Sequence, residues 1–127
     1  MGQKQKRILL IDDEHDIVYV LKKGLQMKGF NVDGFTDARK AIEQFQPDAY
    51  DVVITDIKMP EMNGFEVYKK IREKDANLKV YFLSAFDSYE NEIKNLSNGT
   101  NSAEFIKKPI TYNDLAQKLL KANTLKQ

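Results

Sequence analysis

Cysteine is absent from this chain of 127 residues. Its absence excludes disulfide bonds and thiolate metal sites and is compatible with a reducing cytoplasm, where we expect the protein to be located. Long hydrophobic runs are also lacking, so no segment approaches the length of a membrane span. Charge of one sign is not in excess, with 20 Lys and Arg against 19 Asp and Glu, and no net field favours nucleic acid or an anionic membrane. Oxygen and nitrogen side chains must therefore supply any chemistry.

The length and composition of the chain are typical of one globular domain. A hydrophobic content of 42% over 127 residues is sufficient for one core and leaves little room for a second. We expect this single domain over residues 1–127, with a core from about residue 6 to residue 124. Residues 1–5 are expected to form a basic tail in solvent, because the apolar run behind them is too short for a signal peptide.

Five short runs rich in Val, Ile and Leu alternate with longer segments of helical character. Several of these runs are nearly continuous in apolar residues, which is typical of a parallel sheet covered by helices on both faces. The predicted strands cover residues 8–11, 31–35, 51–55, 79–83 and 103–106. The alternation predicts a three-layer α/β sandwich.

The segments between the predicted strands carry helix signals. An apolar stripe at helical spacing covers residues 17–27, and Gly29 follows it as a stop. Two pairs at capping-box spacing mark further helix starts, and two weaker helical segments complete the alternation. They are Asn63 with Glu66, Thr111 with Asp114, and residues 37–45 and 87–96.

Polar side chains stand at the points where the predicted strands end. In open parallel sheets, ligands gather outside the carboxyl ends of the strands. The polar residues at these ends are Asp12, Asp13, Asp56, Ser84 and the pair Lys107-Lys108. The nearby acids Glu14, Asp16 and Asp33 are interpreted as turn or cap residues. The sequence therefore predicts one polar site at the carboxyl edge of the sheet.

Three carboxylates brought together at this edge repel one another and call for positive charge. Oxygen ligands without His or Cys favour a hard cation, and Mg²⁺ suits them better than zinc. Three acids, one divalent ion and one lysine sum to zero charge, a state that can take on a dianionic phosphoryl group. An Asp can itself be the nucleophile and become an aspartyl phosphate.

The order and spacing of these residues resemble the receiver domain of two-component response regulators, the CheY-like group. The resemblance runs from about residue 6 to the final helix and rests on Asp12-Asp13, Thr55 to Pro60 with Asn63-Gly64, Leu83-Ser84-Ala85 and Phe105 to Pro109. It implies a flavodoxin-like (βα)5 sandwich with a five-stranded parallel sheet in the order 2-1-3-4-5. It also implies phosphotransfer from the phosphohistidine of a sensor kinase to Asp56.

By this resemblance, Mg²⁺ is bound by the carboxylates of Asp12, Asp13 and Asp56 and by the backbone carbonyl of Lys58. Asp56 is also the phosphoacceptor. We expect a phosphoacceptor switch rather than an enzyme, with at most self-catalysed phosphotransfer and autodephosphorylation.

The resemblance also assigns the residues that sense the phosphoryl group. Ser84 is the switch hydroxyl, which hydrogen-bonds a phosphoryl oxygen, and Phe105 is the switch aromatic, which lacks the hydroxyl of tyrosine and would couple by packing alone. Lys108 is the phosphate-binding lysine, joined to Pro109 by a peptide bond expected to be cis. Lys107 points to the opposite side of the strand and is expected to face solvent.

Two positions near the site are expected to control how long a phosphoryl group persists. Lys58 and Phe86, each two residues past a site residue, flank the path by which water would attack the acyl phosphate. We hypothesise that the bulk of Phe86 slows this loss.

The polar loop at residues 97–102 is longer than the connection that the family often shows.

The expected partners are a sensor histidine kinase or phosphotransfer protein as donor and a downstream protein as target. Direct contact with nucleic acid or a membrane is not expected, and the protein is expected to be a monomer or a phosphorylation-dependent homodimer.

Three other functions were weighed on the residues. A phosphohydrolase with Asp56 as nucleophile would need a second acid at the position of Lys58. A flavin-binding protein would need a phosphate loop where Asp12-Asp13-Glu14 would repel phosphate. A phosphorylation-independent receiver-like interaction module stays open as the alternative.

Overall fold

The computed structural model describes residues 6–97 and 102–125, with side chains to residue 121. The predicted tail at residues 1–5 lies outside the described residues, as do residues 98–101 of the predicted polar loop. Strands and helices alternate along the described chain. They are β1 (Arg7–Ile11), α1 (His15–Met27), β2 (Asn31–Phe35), α2 (Ala38–Gln44), β3 (Val52–Asp56), α3 (Gly64–Lys74), β4 (Lys79–Ser84), a 3₁₀ turn (Asp87–Tyr89), α4 (Glu90–Ser97), β5 (Ala103–Lys107) and α5 (Tyr112–Leu125).

The five strands form one parallel sheet in the order β2-β1-β3-β4-β5. This order and the three-layer flavodoxin-like architecture confirm the predicted fold. The structure places Asp56 inside β3 and Ser84 inside β4, one residue beyond the predicted ends, because their backbones still pair with Leu83 and Lys107 of the neighbouring strands.

Two hydrophobic cores lie on opposite faces of the sheet, since successive strand residues point to opposite sides. Leu10 of β1 packs with α1 and α5 on one face. Leu9, the preceding residue, packs with α2, α3 and α4 on the other. The central strands are therefore buried on both faces, which explains their continuous apolar sequences.

The helix ends follow the local sequence signals. Asn63 and Glu66 form both bonds of the capping box at the start of α3, at 3.0 and 2.9 Å. Thr111 Oγ1 accepts a hydrogen bond from the Asp114 N–H at 3.1 Å before α5. Gly29 follows α1 with φ of +96°, a conformation that favours glycine. No helix among the described residues combines the length and apolar character needed to cross a membrane.

Gly64, the first residue of α3, brings that helix close to the end of β3. Its N–H donates to the Ile57 carbonyl at 2.8 Å, and a Cβ at this position would collide with the backbone carbonyl of Asp56. A side chain here would therefore push α3 away from the last residue of β3.

Candidate functional site

Three carboxylates meet at the carboxyl edge of the sheet. Asp12 and Asp13 directly follow β1, and Asp56 ends the neighbouring strand β3, so that one oxygen of each lies within 4.8 Å of the others. Asp12 is fully buried and Asp56 is 7% exposed, whereas Asp13 is half-buried. Buried like charges at this spacing are costly unless a cation is shared among them.

Lys108 is the cation that the fold brings to these acids. Its Nζ lies 2.8 Å from Oδ2 of Asp12, 3.4 Å from Oδ1 of Asp56 and 3.8 Å from Oε1 of Glu14. The Lys108 N–H also donates to the Ser84 carbonyl at 2.9 Å, which anchors the backbone beside β4. The peptide bond to Pro109 is cis, as the resemblance implies.

Lys107 faces away from the acids. It is exposed, and its Nζ pairs with Oδ1 of Asp87 at 2.9 Å. Only the second lysine of the pair therefore reaches the carboxylates. Glu14, interpreted from sequence as a turn residue, is the third acid near Lys108, after Asp12 and Asp56. The run Asp12-Asp13-Glu14 was the signal that could have suggested it.

The electrostatics of the site are unbalanced. Burial and the negative charge of Asp12 raise the pKa of the Asp56 carboxyl from its ordinary 3.8 to about 6, although the Lys108 ammonium opposes the change. Burial alone would lower the pKa of Lys108, but its contact with Asp12 and the charges of Asp12 and Asp56 outweigh burial and raise it. One ammonium group is therefore insufficient for three carboxylates.

The donor set fits a hard divalent cation. All three side chains offer carboxylate oxygen, the ligand type that Mg²⁺ prefers. Oδ1 of Asp12 accepts the Glu14 N–H at 3.0 Å. Among the described residues, its buried Oδ2 has the ion pair with Lys108 but no well-formed hydrogen bond. A buried acceptor of this kind leaves a coordination position available.

Ser84 lies beside the acids at the end of β4 and is 3% exposed. Its Oγ accepts a hydrogen bond from the Phe86 N–H at 3.0 Å. The hydroxyl proton of Ser84 therefore remains available to an incoming acceptor.

Phe105, on β5, is half-buried and packs against the core formed with α2, α3 and α4. It is paired in register with Phe82 of β4. Phe105 thus lies on the edge strand of the sheet and packs against the core that includes Ile93 of α4.

Lys58 and Phe86 lie in the loops that follow β3 and β4, and their side chains contact each other. Both side chains are exposed, and the Lys58 Nζ lies 5.2 Å from the centroid of the Phe86 ring. This cation–π contact connects the loops after β3 and β4 above the end of β3.

An apolar groove opens next to Lys108 between α1 and the loop after β5. Its volume is about 430 Å³, and its apolar walls include Ile17, Val20, Pro109 and Ile110. Val20 is 53% exposed. The apolar stripe at residues 17–27 did not predict this groove, because helical spacing does not show which part of a stripe a neighbouring helix leaves uncovered.

Comparisons with known proteins are consistent with this geometry. The family model for the response regulator receiver domain matches residues 8–120. CpdR, a response regulator receiver protein of Brucella abortus, is 33% identical over 91% of this chain and 95% of its own length. TrcR, a transcriptional regulatory protein of Mycobacterium tuberculosis, is 31% identical over 89% of this chain, which spans only 43% of TrcR.

Solved structures share the fold. The response regulator TrrA of Thermotoga maritima, solved in complex with Mg²⁺-BeF, is 32% identical, has a TM-score of 0.76, and is aligned over 92% of this chain and 98% of its own. A CheY-like receiver domain protein from Methanospirillum hungatei is 28% identical, has a TM-score of 0.80, and is aligned over 94% of both chains.

Proposed function

The chain belongs to the receiver domain family of two-component response regulators, and from this premise we propose that Asp56 receives the phosphoryl group. Receiver domains take phosphate from histidine kinases and act on downstream targets. The observation that supports the assignment to Asp56 is its position 3.4 Å from the Lys108 ammonium, with a carboxylate oxygen within 4.8 Å of oxygens of two other acids.

The proposed transfer is a displacement at phosphorus. A carboxylate oxygen of Asp56 attacks the phosphorus of the donor phosphohistidine, a new O–P bond forms, and the N–P bond breaks with its electron pair returning to the imidazole. Lys108 stabilises the negative charge on the phosphoryl oxygens from its position beside Asp56. The product is an acyl phosphate, and no other covalent bond of the protein changes.

The side chains of Asp12, Asp13 and Asp56 and the backbone carbonyl of Lys58 would hold Mg²⁺, which when bound offsets charge on the phosphoryl oxygens. Lys108 already pairs with Asp12, but one ammonium group does not neutralise both buried acids. A second cation would reduce the repulsion between Asp12 and Asp56, which is strong because both are buried. The phosphoacceptor role and the metal role of Asp56 use the same carboxylate.

The switch follows from Ser84 and Phe105. The Ser84 hydroxyl donates a hydrogen bond to a phosphoryl oxygen and moves towards it, which pulls the segment that begins at Phe86. Phe105 then turns into the space beside β4, and the surface of α4, β5 and α5 changes shape. That surface is offered to a downstream protein, or to a second copy of the chain in a phosphorylation-dependent homodimer.

The protein donor is proposed to dock in the apolar groove, because a phosphohistidine must come within reach of Asp56 and the groove opens directly beside Lys108. A Val20→Glu variant is expected to lose at least ~10-fold in rate from a protein phosphodonor. Its rate from phosphoramidate should be unchanged. Equal loss with both donors would contradict docking in the groove.

The lifetime of the phosphorylated form is proposed to depend on the contact between Lys58 and Phe86. Phe86→Ala would uncover the acyl phosphate, and we expect its hydrolysis to be faster by roughly 2- to 5-fold, the factor that corresponds to an exposed cation–π contact of about 0.5–1 kcal/mol. Decay at the wild-type rate would contradict this role. Residues 1–127 are proposed to act in the cytoplasm as one domain, with its core at about residues 6–124.

One experiment tests the assignment of Asp56. Wild-type protein is incubated with Mg²⁺ and phosphoramidate, and its intact mass is expected to increase by one phosphoryl group. Asp56→Asn should show no increase, whereas Asp51→Asn, a matched change one strand length away, should behave as wild type. A wild-type protein that gains no mass would favour the phosphorylation-independent interaction module.

A further inference from the structure

Tyr112, the first residue of α5, packs against α1 at Gly24. A Cβ at Gly24 would collide with Cβ, Cγ and Cδ2 of Tyr112. These atoms include the base of the tyrosine side chain, which cannot swing aside without moving the start of α5. Glycine inside a helix lowers the stability of the helix by about 1 kcal/mol relative to alanine. At this position, the absence of a side chain permits the close approach of Tyr112.

This contact lies at the end of the segment that carries Lys108. The connection between β5 and α5 covers residues 108–111, and it is anchored at one end by the hydrogen bond from the Lys108 N–H to the Ser84 carbonyl. The contact of Tyr112 with Gly24 anchors the other end. The ring is half-buried and packs against the core beneath α1 and α5.

The other partner in the contact leads back to the acids. The connection between β1 and α1 covers only residues 12–14, so the position of α1 and that of Asp12 are linked. The distance of 2.8 Å between Lys108 and Asp12 therefore depends on how α1 and α5 pack together. Gly24 and Tyr112 are a point of direct contact between these two helices.

We propose that Tyr112, seated over Gly24, is a positioning residue that holds the Lys108 ammonium at the site where a phosphoryl group arrives. This rests on the proposed role of Lys108 as the phosphate-binding lysine. Tyr112 does not itself reach the phosphoryl group. Removal of the Tyr112 side chain lets the connection at residues 108–111 shift, and binding of a phosphoryl mimic weakens. The carboxylates that follow β1 and end β3 stay in place.

The test measures two affinities on the full chain. Beryllium fluoride, a phosphoryl mimic, is titrated in saturating Mg²⁺, and Mg²⁺ is titrated alone, both followed by backbone amide NMR shifts. Tyr112→Ala is expected to weaken beryllium fluoride binding by ~10-fold or more, the usual effect of a misplaced charged contact. Its Mg²⁺ affinity should stay within about twofold of wild type, a change of less than 0.5 kcal/mol. Tyr112→Phe, which keeps the ring, should restore wild-type binding.

Gly24 supplies a second route to the same result. Gly24→Ala is expected to weaken beryllium fluoride binding in the wild-type background and to have a smaller further effect in Tyr112→Ala, because Cγ and Cδ2 are then gone and only the Cβ at residue 112 still meets the added methyl group. Equal effects of Gly24→Ala in both backgrounds would overturn the proposal. If Tyr112→Ala does not fold, Tyr112→Leu keeps apolar bulk and takes its place.

A stability control separates positioning from general loosening. Phe45 is 3% exposed and lies after α2, at the opposite end of the sheet from the acids. Phe45→Leu is chosen to lower the free energy of unfolding as Tyr112→Ala does, and its beryllium fluoride affinity should match wild type. Equal loss in both variants, or no loss in Tyr112→Ala when Lys108→Ala has lost binding, would overturn the proposal. A wild type that binds no beryllium fluoride would instead reject the proposed function itself.

Discussion

Charged side chains are paired differently at the two ends of the parallel strands, the amino edge and the carboxyl edge of the sheet. At the amino edge, Arg7 pairs with Asp51 at 3.3 Å and Lys79 pairs with Glu104 at 2.6 Å, so each cation has its own anion. Asp51 and Glu104 are also partly in water, with side chains 41% and 47% exposed. Such pairs are individually weak and need no further partner.

At the carboxyl edge, the same sheet gathers three carboxylates, and two of them, Asp12 and Asp56, are buried and lie next to Lys108. Neighbouring parallel strands end in register there, so acids at the strand ends meet whether or not their charges balance. The difference shows that charges are paired one to one at the amino edge, whereas the carboxyl edge has more carboxylates than the Lys108 ammonium can neutralise.

The largest expected effect is the loss of Lys108, the lysine that contacts the buried acids at the carboxyl edge. Without Mg²⁺, Lys108→Ala is expected to lower the free energy of unfolding by about 3 kcal/mol, because Asp12 and Asp56 are left buried without their counter-charge. Urea unfolding measures the change. Lys107→Ala, which removes the exposed neighbour, is the matched control and should cost less than about 1 kcal/mol. Similar losses in the two variants would show that the carboxyl edge is not special.

The next effect is stabilisation by Mg²⁺. A cation bound only by the folded state adds about 2.7 kcal/mol at a concentration of 100 times its dissociation constant. We expect Mg²⁺ to raise the melting temperature of wild type, and Asp13→Asn to remove most of the increase. Asp75→Asn, a change of the same kind far from the site, should leave it intact. An increase that survives Asp13→Asn would place the metal elsewhere.

Asp56→Asn is expected to stabilise the metal-free protein at neutral pH. Because the pKa of Asp56 is raised from 3.8 to about 6, the folded state holds this proton more tightly than the unfolded state does. That stabilisation is complete below about pH 4 and is lost as the pH rises to about 6. At pH 7.5 the ionised carboxyl is therefore a net cost.

Asn removes this cost, so Asp56→Asn should exceed wild type by ~1–2 kcal/mol at pH 7.5, with the gap closing towards pH 4. Urea unfolding in EDTA at several pH values measures it. At the amino edge the sign should reverse, because Asp51 accepts a hydrogen bond from the Arg7 N–H at 2.8 Å. Asp51→Asn is expected to be destabilising, and a gain there would remove the contrast between the edges.

The smallest effect is expected at the amino edge itself. Lys79→Ala loses the ion pair with Glu104 and the ammonium 5.1 Å from the centroid of the Tyr81 ring. Because Glu104 can return to water, we expect a loss of only about 0.5–1 kcal/mol, reduced further in 1 M salt. A loss as large as that of Lys108→Ala would mean that exposure does not decide the cost of an unpaired acid here.

Much of the fold could be predicted because its signals are local. The apolar run that ends at Asp56 and the capping box of Asn63 and Glu66 depend on neighbours a few residues apart. The strand order was implied only by resemblance to a family, since no local pattern states which strands pair. The groove beside Val20 was missed, because an apolar helix stripe does not reveal how far a neighbouring helix covers it.

The candidate site was predictable in its residue types and less so in its arrangement. Acids at two strand ends indicated a cation site. The choice between Lys107 and Lys108 needed strand alternation together with the family pattern, and the structure places Lys108 at the acids. The approach of Glu14 to Lys108 and the contact of Tyr112 with Gly24 were not predicted, because they join segments that share no periodic pattern.

The sequence by itself determined which chemical groups the protein carries and at which strand and helix ends they stand, because hydrophobic periodicity and capping act over a few residues. Asp12, Asp56 and Lys108 come from the beginning, middle and end of the chain. The tertiary structure alone decided that carboxylate oxygens of Asp12 and Asp56 lie within 3.4 Å of the Lys108 ammonium. Charge interactions depend on distance and burial rather than on position in the chain. The raised pKa of Asp56, and with it the need for a cation, therefore exists only in the folded molecule.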